Sequence, residues 1–310
     1  PRFDHPRFNS EYSITDGIVR IDPMIHAVLE GGGAAVGISD LMNVFGGLRF
    51  YTHALAAGLK PILGCDLKVI NPKDLNKPFR LGVLCMNHEG YHSLSVLLTK
   101  AFLTNNDAAR GLVDPKWFDD GGSEGLIALS GAAQGELGSL LLGKKWALAH
   151  EAAERFKAQF PGRFYVELQR AGRPTDELAT ARLANFAVEE KLPVVAAHPI
   201  QFLKPEDFEA HEVRCSIAEG YTLQDPRRVK RYTPEQYLKS EAEMCELFAD
   251  IPAAIENTVE IAKRCNLDGV LSKPQLPLFP TPDGMSLDDY IDQLSKEGLQ
   301  KRLEFLYPDP

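Results

Sequence analysis

Six side chains of this 310-residue sequence have the types and placement for metal-assisted chemistry: His5, Asp16, Asp40, Asp66, Glu167 and His198. Each lies near an expected strand end. Divalent cations bind imidazole and carboxylate, and the bound cation activates water for attack on a phosphoester. The pattern is thin, because the sequence holds no His-x-His and no Asp-x-His. His88, His92, His150 and His211 fall in helical or loop settings and read as exposed histidines, while Pro199 sets a turn that orients His198. No Walker-type loop or dinucleotide fingerprint occurs. The triple glycine Gly31-Gly32-Gly33 precedes a strand, where a phosphate loop would follow one, so it reads as a helix stop and turn. One local basic cluster, Arg227-Arg228-Val229-Lys230-Arg231, lies near Tyr221 and Tyr232. It reads as a contact for nucleic acid or an acidic partner, or as a solvated loop.

The elements that must position these groups are legible as a strand–helix alternation. Ala34 to Ile38 is an apolar run that stops at Ser39-Asp40. A helix is expected around Phe50 to Ala57, and Leu59 to Ile70 returns as a second strand holding Asp66. Two buried-type strands joined through a helix make a parallel βα unit, and sites collect at the rim where strands end. Further strands are expected at Arg80–Met86, Leu126–Ser130, Phe164–Leu168 and Leu192–Ala197, with helices between most of them. With a short extended segment within Pro1–Tyr12 the count is seven strands, and their nearly continuous apolar runs argue for a parallel sheet covered by helices, either a closed barrel or an open doubly wound sheet. From Lys204 onward no strand is expected. A helix at Glu206–Ile217, a helix start at Thr233-Pro234-Glu235-Gln236 and a helix at Asp250–Cys265 are. Leu271 to Pro282, with four prolines, is an expected extended connector before a last helix capped at Ser286. The expected domains are a barrel core at 1–203, a helical extension at 204–270 and a connector with its helix at 271–310.

Bulk properties narrow the class. With 44% hydrophobic and 25% charged residues the composition is that of a globular chain. A net charge of −9 makes the whole chain no polyanion binder. Five scattered cysteines without a Cys-x-x-Cys pair read as free thiols of a reducing compartment. No apolar run approaches a membrane span and no signal pattern opens the sequence, so the expected place is the cytoplasm, with no membrane contact. The first residue is not Met and the last four are Tyr-Pro-Asp-Pro, as expected of a piece cut from a longer protein.

The segments HPRFNSEYSITDG, GISDLMNVFGGLRFY, GLKPILGCD, MNHEGYHSL, EGLIALSG, FYVELQRAGRP, LPVVA and DFEAHEVRCSIAEGYTLQDPRR come in an order that resembles the PHP (polymerase and histidinol phosphatase) domain. They are most similar to that domain at the N-terminus of bacterial DNA polymerase III alpha subunits, and YLKSEAEMCELFADIPAAIENTVEIAKRCN is similar to the segment that follows it. The resemblance implies an α/β fold, a distorted (βα)7 barrel with a helical C-terminal extension. It also implies a trinuclear metal pocket in active members, here degenerate. The His-x-His positions hold Arg7 and Asn9, the Asp-His pair is Asp40-Leu41, and the usual Glu is Asp66. Arg80 and Ala171 replace histidines, and the last Asp-x-His is Pro199 and Gln201. With His5, Asp16 and His198 these residues form the expected vestigial pocket. Leu, Ala and Pro side chains cannot ligate, and arginine repels a cation, so ion pairs between Arg7 or Arg80 and Asp16, Asp40 and Asp66 are expected in place of metal. The implied function is a catalytically inactive module that stabilises the polymerase subunit and docks its proofreading exonuclease subunit. DNA is then met only through the full-length polymerase, a DNA-directed nucleotidyltransferase, and no cofactor is expected. The alternative is a zinc- or manganese-dependent phosphoesterase, a 3′–5′ exonuclease or pyrophosphatase.

Overall fold

Seven strands make one curled sheet whose spatial order follows the chain. They are β1 (His5–Phe8), β2 (Ala35–Leu41), β3 (Lys60–Val69), β4 (Phe79–Cys85), β5 (Leu126–Leu129), β6 (Phe164–Leu168) and β7 (Val194–Ala196). The computed structural model describes residues 2–104, 111–119, 121–268 and 279–308. Helices α1 (Ile21–Glu30), α2 (Gly47–Ala56), α3 (His88–Thr104), α4 (Glu136–Leu142), α5 (Trp146–Gln159) and α6 (Asp176–Glu190) connect or flank the strands. The later helices are α7 (Phe208–Glu219), α8 (Glu241–Leu247), α9 (Pro252–Arg264) and α10 (Leu287–Leu306). Contacts divide the chain into two units, Pro1–Val270 and Leu271–Pro310.

The α/β class holds, but the expected wholly parallel sheet does not. β4 runs antiparallel to both β3 and β5, whereas β1–β2–β3 and β5–β6–β7 are parallel. The cause lies in the connection. Residues 70–78 carry two prolines and a succession of turn bonds, Asp74 N–H to Asn71 C=O and Lys77 N–H to Asp74 C=O, with no helix. A parallel crossover needs a dozen residues or more, so this loop can only return the chain antiparallel.

The curl brings the two ends of the sheet together. Beyond β1, the Asn9 N–H donates to Ile200 C=O at 3.1 Å, and Ile18 N–H reaches Gln201 C=O at 3.2 Å, both acceptors lying just after β7. α9 covers β7, and its Asn257 amide donates to Val194 C=O at 2.8 Å. The triple glycine ends α1: Gly31 N–H closes on Ala27 C=O and Gly32 sits at φ 78°, the left-handed conformation that stops a helix at little cost only for glycine.

One expected helix is missing. Thr233-Pro234-Glu235-Gln236 forms a turn in which Thr233 N–H donates to Gln236 Oε1, but the chain then extends and Tyr237 bridges Phe202. The helix begins instead at Ser240, with a capping box between Ser240 and Glu243. Most of the expected proline-rich connector, 271–278, lies outside the described residues. Among the described residues no helix is long and apolar enough to cross a membrane.

Candidate functional site

The curl places β1, β3 and β6 around one buried guanidinium. Arg7 donates from Nη2 to Asp66 Oδ2 and from Nη1 to Glu167 at 3.1 and 3.3 Å. All three side chains are at most 7% exposed. Burial works against the Arg7 charge, and the carboxylates of Asp66 and Glu167 outweigh it, so its pKa is held above the ordinary arginine value. The remaining lone pairs are satisfied as well. Ser39 Oγ donates to Asp66 Oδ1 at 3.0 Å; Gly131 N–H and Gln169 Nε2 donate to Glu167 at 3.0 and 2.6 Å. Gln169 in turn accepts from Arg173 at 2.6 Å, and Arg173 is held by Asp176. Gly82 leaves the room this requires, since a Cβ there would stand 3.3 Å from Arg7 Nη1.

Asp40, at the end of β2, is handled differently. It takes no cation. Its oxygens accept from Ser10 N–H at 2.7 Å, from Ser10 Oγ at 2.9 and 2.8 Å, and from Ser13 Oγ at 2.8 Å. Burial pushes its pKa up to about 6, against the pull of the two serines. Asn9 donates to Ser39 C=O at 2.9 Å and receives Gln201 at 3.4 Å.

A cavity of about 800 Å³ opens above this network. Arg7, Asn9, Asp16 and Leu41 line it, as do Asp66, Arg80, Pro199 and Gln201. Four residues of the expected pocket are elsewhere. Asp40 is sealed beneath it at 1% exposure. His5 lines a separate, smaller cavity with Lys239, whose C=O accepts from its Nε2–H at 2.7 Å. His198 is buried with Nε2–H on Glu235 C=O at 2.8 Å. Ala171 contributes only backbone, its N–H to Asp176 and its C=O to the Thr233 hydroxyl. Arg80 reaches the cavity but makes no ion pair with Asp16, Asp40 or Asp66. His211 is likewise not exposed: it is fully buried, with Nε2–H on Asp16 C=O at 2.7 Å. Glu167, absent from the expected pocket, is the second anion on Arg7; a Glu inside a wholly buried strand was the signal that it needed a charged partner.

The donor set does not fit a multinuclear centre. A guanidinium occupies the space between the two carboxylates that face each other, and among the described residues no three His, Cys, Asp or Glu side chains are grouped to hold a cation.

The basic cluster is largely tied to its own fold. Arg227 pairs with Asp225 at 2.7 Å and lies over the Tyr221 ring, Arg228 pairs with Glu212 at 2.7 Å, and Arg231 meets Glu219 at 3.3 Å. Arg228 is only 3% exposed at its side chain. Arg228→Ala is therefore expected to cost about 2–3 kcal/mol in urea denaturation, by stranding Glu212, whereas Arg227→Ala leaves the midpoint in place. Equal effects of the two would contradict this assignment.

The PHP domain family model matches residues 5–171. The chain is 48% identical over 311 residues to the DNA polymerase III subunit alpha of Neisseria meningitidis serogroup B, covering 100% of this chain and 27% of that protein. It is 43% identical over 309 residues to the same subunit of Escherichia coli, covering 100% of this chain and 26% of that protein. The chain thus spans about a quarter of the length of the curated relatives it matches. Among solved structures, an amidohydrolase from Chromobacterium violaceum gives a TM-score of 0.45 at 11% identity, over 64% of this chain and 87% of that one. A metal-dependent phosphoesterase from Bifidobacterium adolescentis gives 0.40 at 12% identity, over the same shares. The chain belongs to the PHP domain family.

Proposed function

We propose that this PHP domain works as a structural and docking module at the front of a DNA polymerase III alpha subunit, acting in the cytoplasm and hydrolysing no phosphoester itself. It would stabilise the polymerase subunit and dock a separate proofreading exonuclease subunit. Residues 1–203 form the barrel core in this reading, 204–270 complete the domain, and 271–310 lead toward the polymerase core. The observation that carries it is the Arg7 guanidinium seated between Asp66 and Glu167, a fixed cation where catalysis would need an exchangeable, water-activating one.

Elemental analysis of the dialysed chain after exposure to zinc and manganese tests the inactive half. Less than about a tenth of an equivalent retained is expected of a site without an open ligand set. Retention of two equivalents that disappears in Asp40→Asn/Asp66→Asn would instead establish the phosphoesterase reading. Co-elution with the exonuclease subunit in size-exclusion chromatography tests docking, and separate elution at micromolar concentration would sink that half.

A further inference from the structure

The smaller cavity, of about 270 Å³, lies at the opposite ends of the same strands, where β1 begins at His5 and β2 at Ala35. It shares no lining residue with the larger one. One wall is apolar, with Phe3, Leu203 and Leu238. The other carries four carboxylates, Asp4, Glu30, Glu241 and Glu243, against a single cation, Lys239. That lysine is already engaged, with its Nζ on Glu235 at 2.8 Å and 4.0 Å above the Tyr237 ring. The last turn of α1 also lines the cavity and brings the negative end of the helix dipole to it. Asp4, 4% exposed, accepts from Ala34 and Ala35 N–H at 3.2 and 2.9 Å on Oδ1. Burial above all, and the charge of Glu241 besides, hold its pKa above the ordinary aspartate value against those two amides. The independent sign is His5, which lines the cavity at 7% exposure. Its Nε2–H is spent on the Lys239 C=O, so Nδ1 is left a buried acceptor with no donor. Buried acceptors are as a rule paired.

We propose that this cavity binds the protonated end of a short aliphatic amine, its ammonium held by Asp4, Glu241 and His5 Nδ1 and its methylenes laid along Phe3, Leu203 and Leu238. An ammonium offers three N–H donors and one positive charge, which answers a bare acceptor and two crowded carboxylates together. An anion would be repelled by the same three groups. A metal ion matches less well, because among the described residues no three His, Cys, Asp or Glu side chains are grouped to hold one. The apolar wall would also strip water from a hydrated ion without replacing it, whereas it covers an alkyl chain favourably. The volume lies below that of drug-sized pockets and suits a short chain. Two sources share this chemistry, a free diamine and a lysine side chain presented by another protein. The site is independent of the inactive reading, since neither Arg7 nor the larger cavity enters it.

Isothermal titration of the 310-residue chain with 1,4-diaminobutane and with Nα-acetyl-lysine N-methylamide, in amine-free buffer at neutral pH, tests it. Saturable binding of either is expected, and the tighter of the two identifies a free diamine or a lysine side chain as the source. Asp4→Asn keeps an oxygen for the two amides, and His5→Gln keeps a donor for the Lys239 carbonyl. Each should weaken binding about tenfold or more, as expected when a hydrogen bond to a charged group is lost. Glu241→Lys places a competing ammonium beside Asp4 and should abolish binding. Without amine it should melt at or above the wild-type temperature, because a repulsion has been removed; that also shows it is folded. Glu154→Gln, an exposed carboxylate outside the cavity, should leave the affinity unchanged. The nitrogen-15 signal of His5 Nδ1 should move on saturation, which attraction to the acidic surface alone would not cause. No saturable heat with either amine, equal losses in Glu154→Gln and Glu241→Lys, or unchanged affinity in both Asp4→Asn and His5→Gln overturns the site.

Discussion

Arg7→Ala is expected to destabilise the domain by about 3–5 kcal/mol, a large part of what a domain has. The loss is not the worth of the ion pair itself. Removing the guanidinium leaves Asp66 and Glu167 buried as uncompensated anions, each already using its other lone pairs on Ser39, Gly131 and Gln169. It also cuts a tie across the fold. β1 and β6 are far apart in the order of the sheet, yet Arg7 on β1 grips Glu167 on β6, so the contact helps keep the sheet curled. Arg7→Lys should recover only part of the loss, since one ammonium cannot reproduce the two-pronged contact. Arg7→Ala/Asp66→Asn/Glu167→Gln should recover much of it, because the stranded charges go with the cation. Urea denaturation of the three variants decides the matter: a loss below about 1 kcal/mol for Arg7→Ala would place the triad among weakly coupled surface pairs.

The sequence made the strands readable, because apolar runs bounded by turn residues say where a strand is. Such runs carry no direction, which is why the reversal of β4 was hidden in them. The information sat in 70–78, a loop too short and too rich in proline to hold a crossover helix. Local helix signals at Thr233 lost to a tertiary pairing, Phe202 with Tyr237, that no local window contains. At the site, reading substitutions position by position brought Arg7 to Asp66 but gave it Asp16 and Asp40 as further partners. The structure gives it Glu167, while two serines satisfy Asp40. Ser10 and Ser13 were invisible as partners because hydroxyls are common near loops and acquire this role only through the fold. His5 and His198 are polar residues beside the pocket in sequence, yet each spends its Nε2–H on a backbone carbonyl of the 235–239 segment.

Those two histidines make the second large prediction, a loss of stability on mild acidification. Burial lowers the His5 pKa to about 4; burial, and secondarily the neighbouring His5, lower that of His198 to about 3. Each Nδ1 is buried without a partner, so an added proton would find no acceptor. An unfolded histidine titrates near 6.5. Stability from these groups is thus fully present above that pH and drains away as the pH falls toward their folded values, because the unfolded chain binds the protons that the native one refuses. Burial lowers the His211 pKa too and acts in the same sense. Asp40 acts in the opposite one. Its folded pKa, about 6, exceeds the unfolded value, so it favours the native state in acid and loses that contribution as the pH rises through about 6. Between about pH 4.5 and 5.5, His198→Gln, which keeps a donor for the Glu235 carbonyl, should flatten the dependence of unfolding free energy on pH by about 1.4 kcal/mol per pH unit. Asp40→Asn should steepen it by about the same amount, because the native state no longer takes up a compensating proton. Denaturant titrations at several pH values read both slopes. If His198→Gln leaves the slope as it is, the imidazole is already charged in the native state, and the assignment of a buried neutral pair fails.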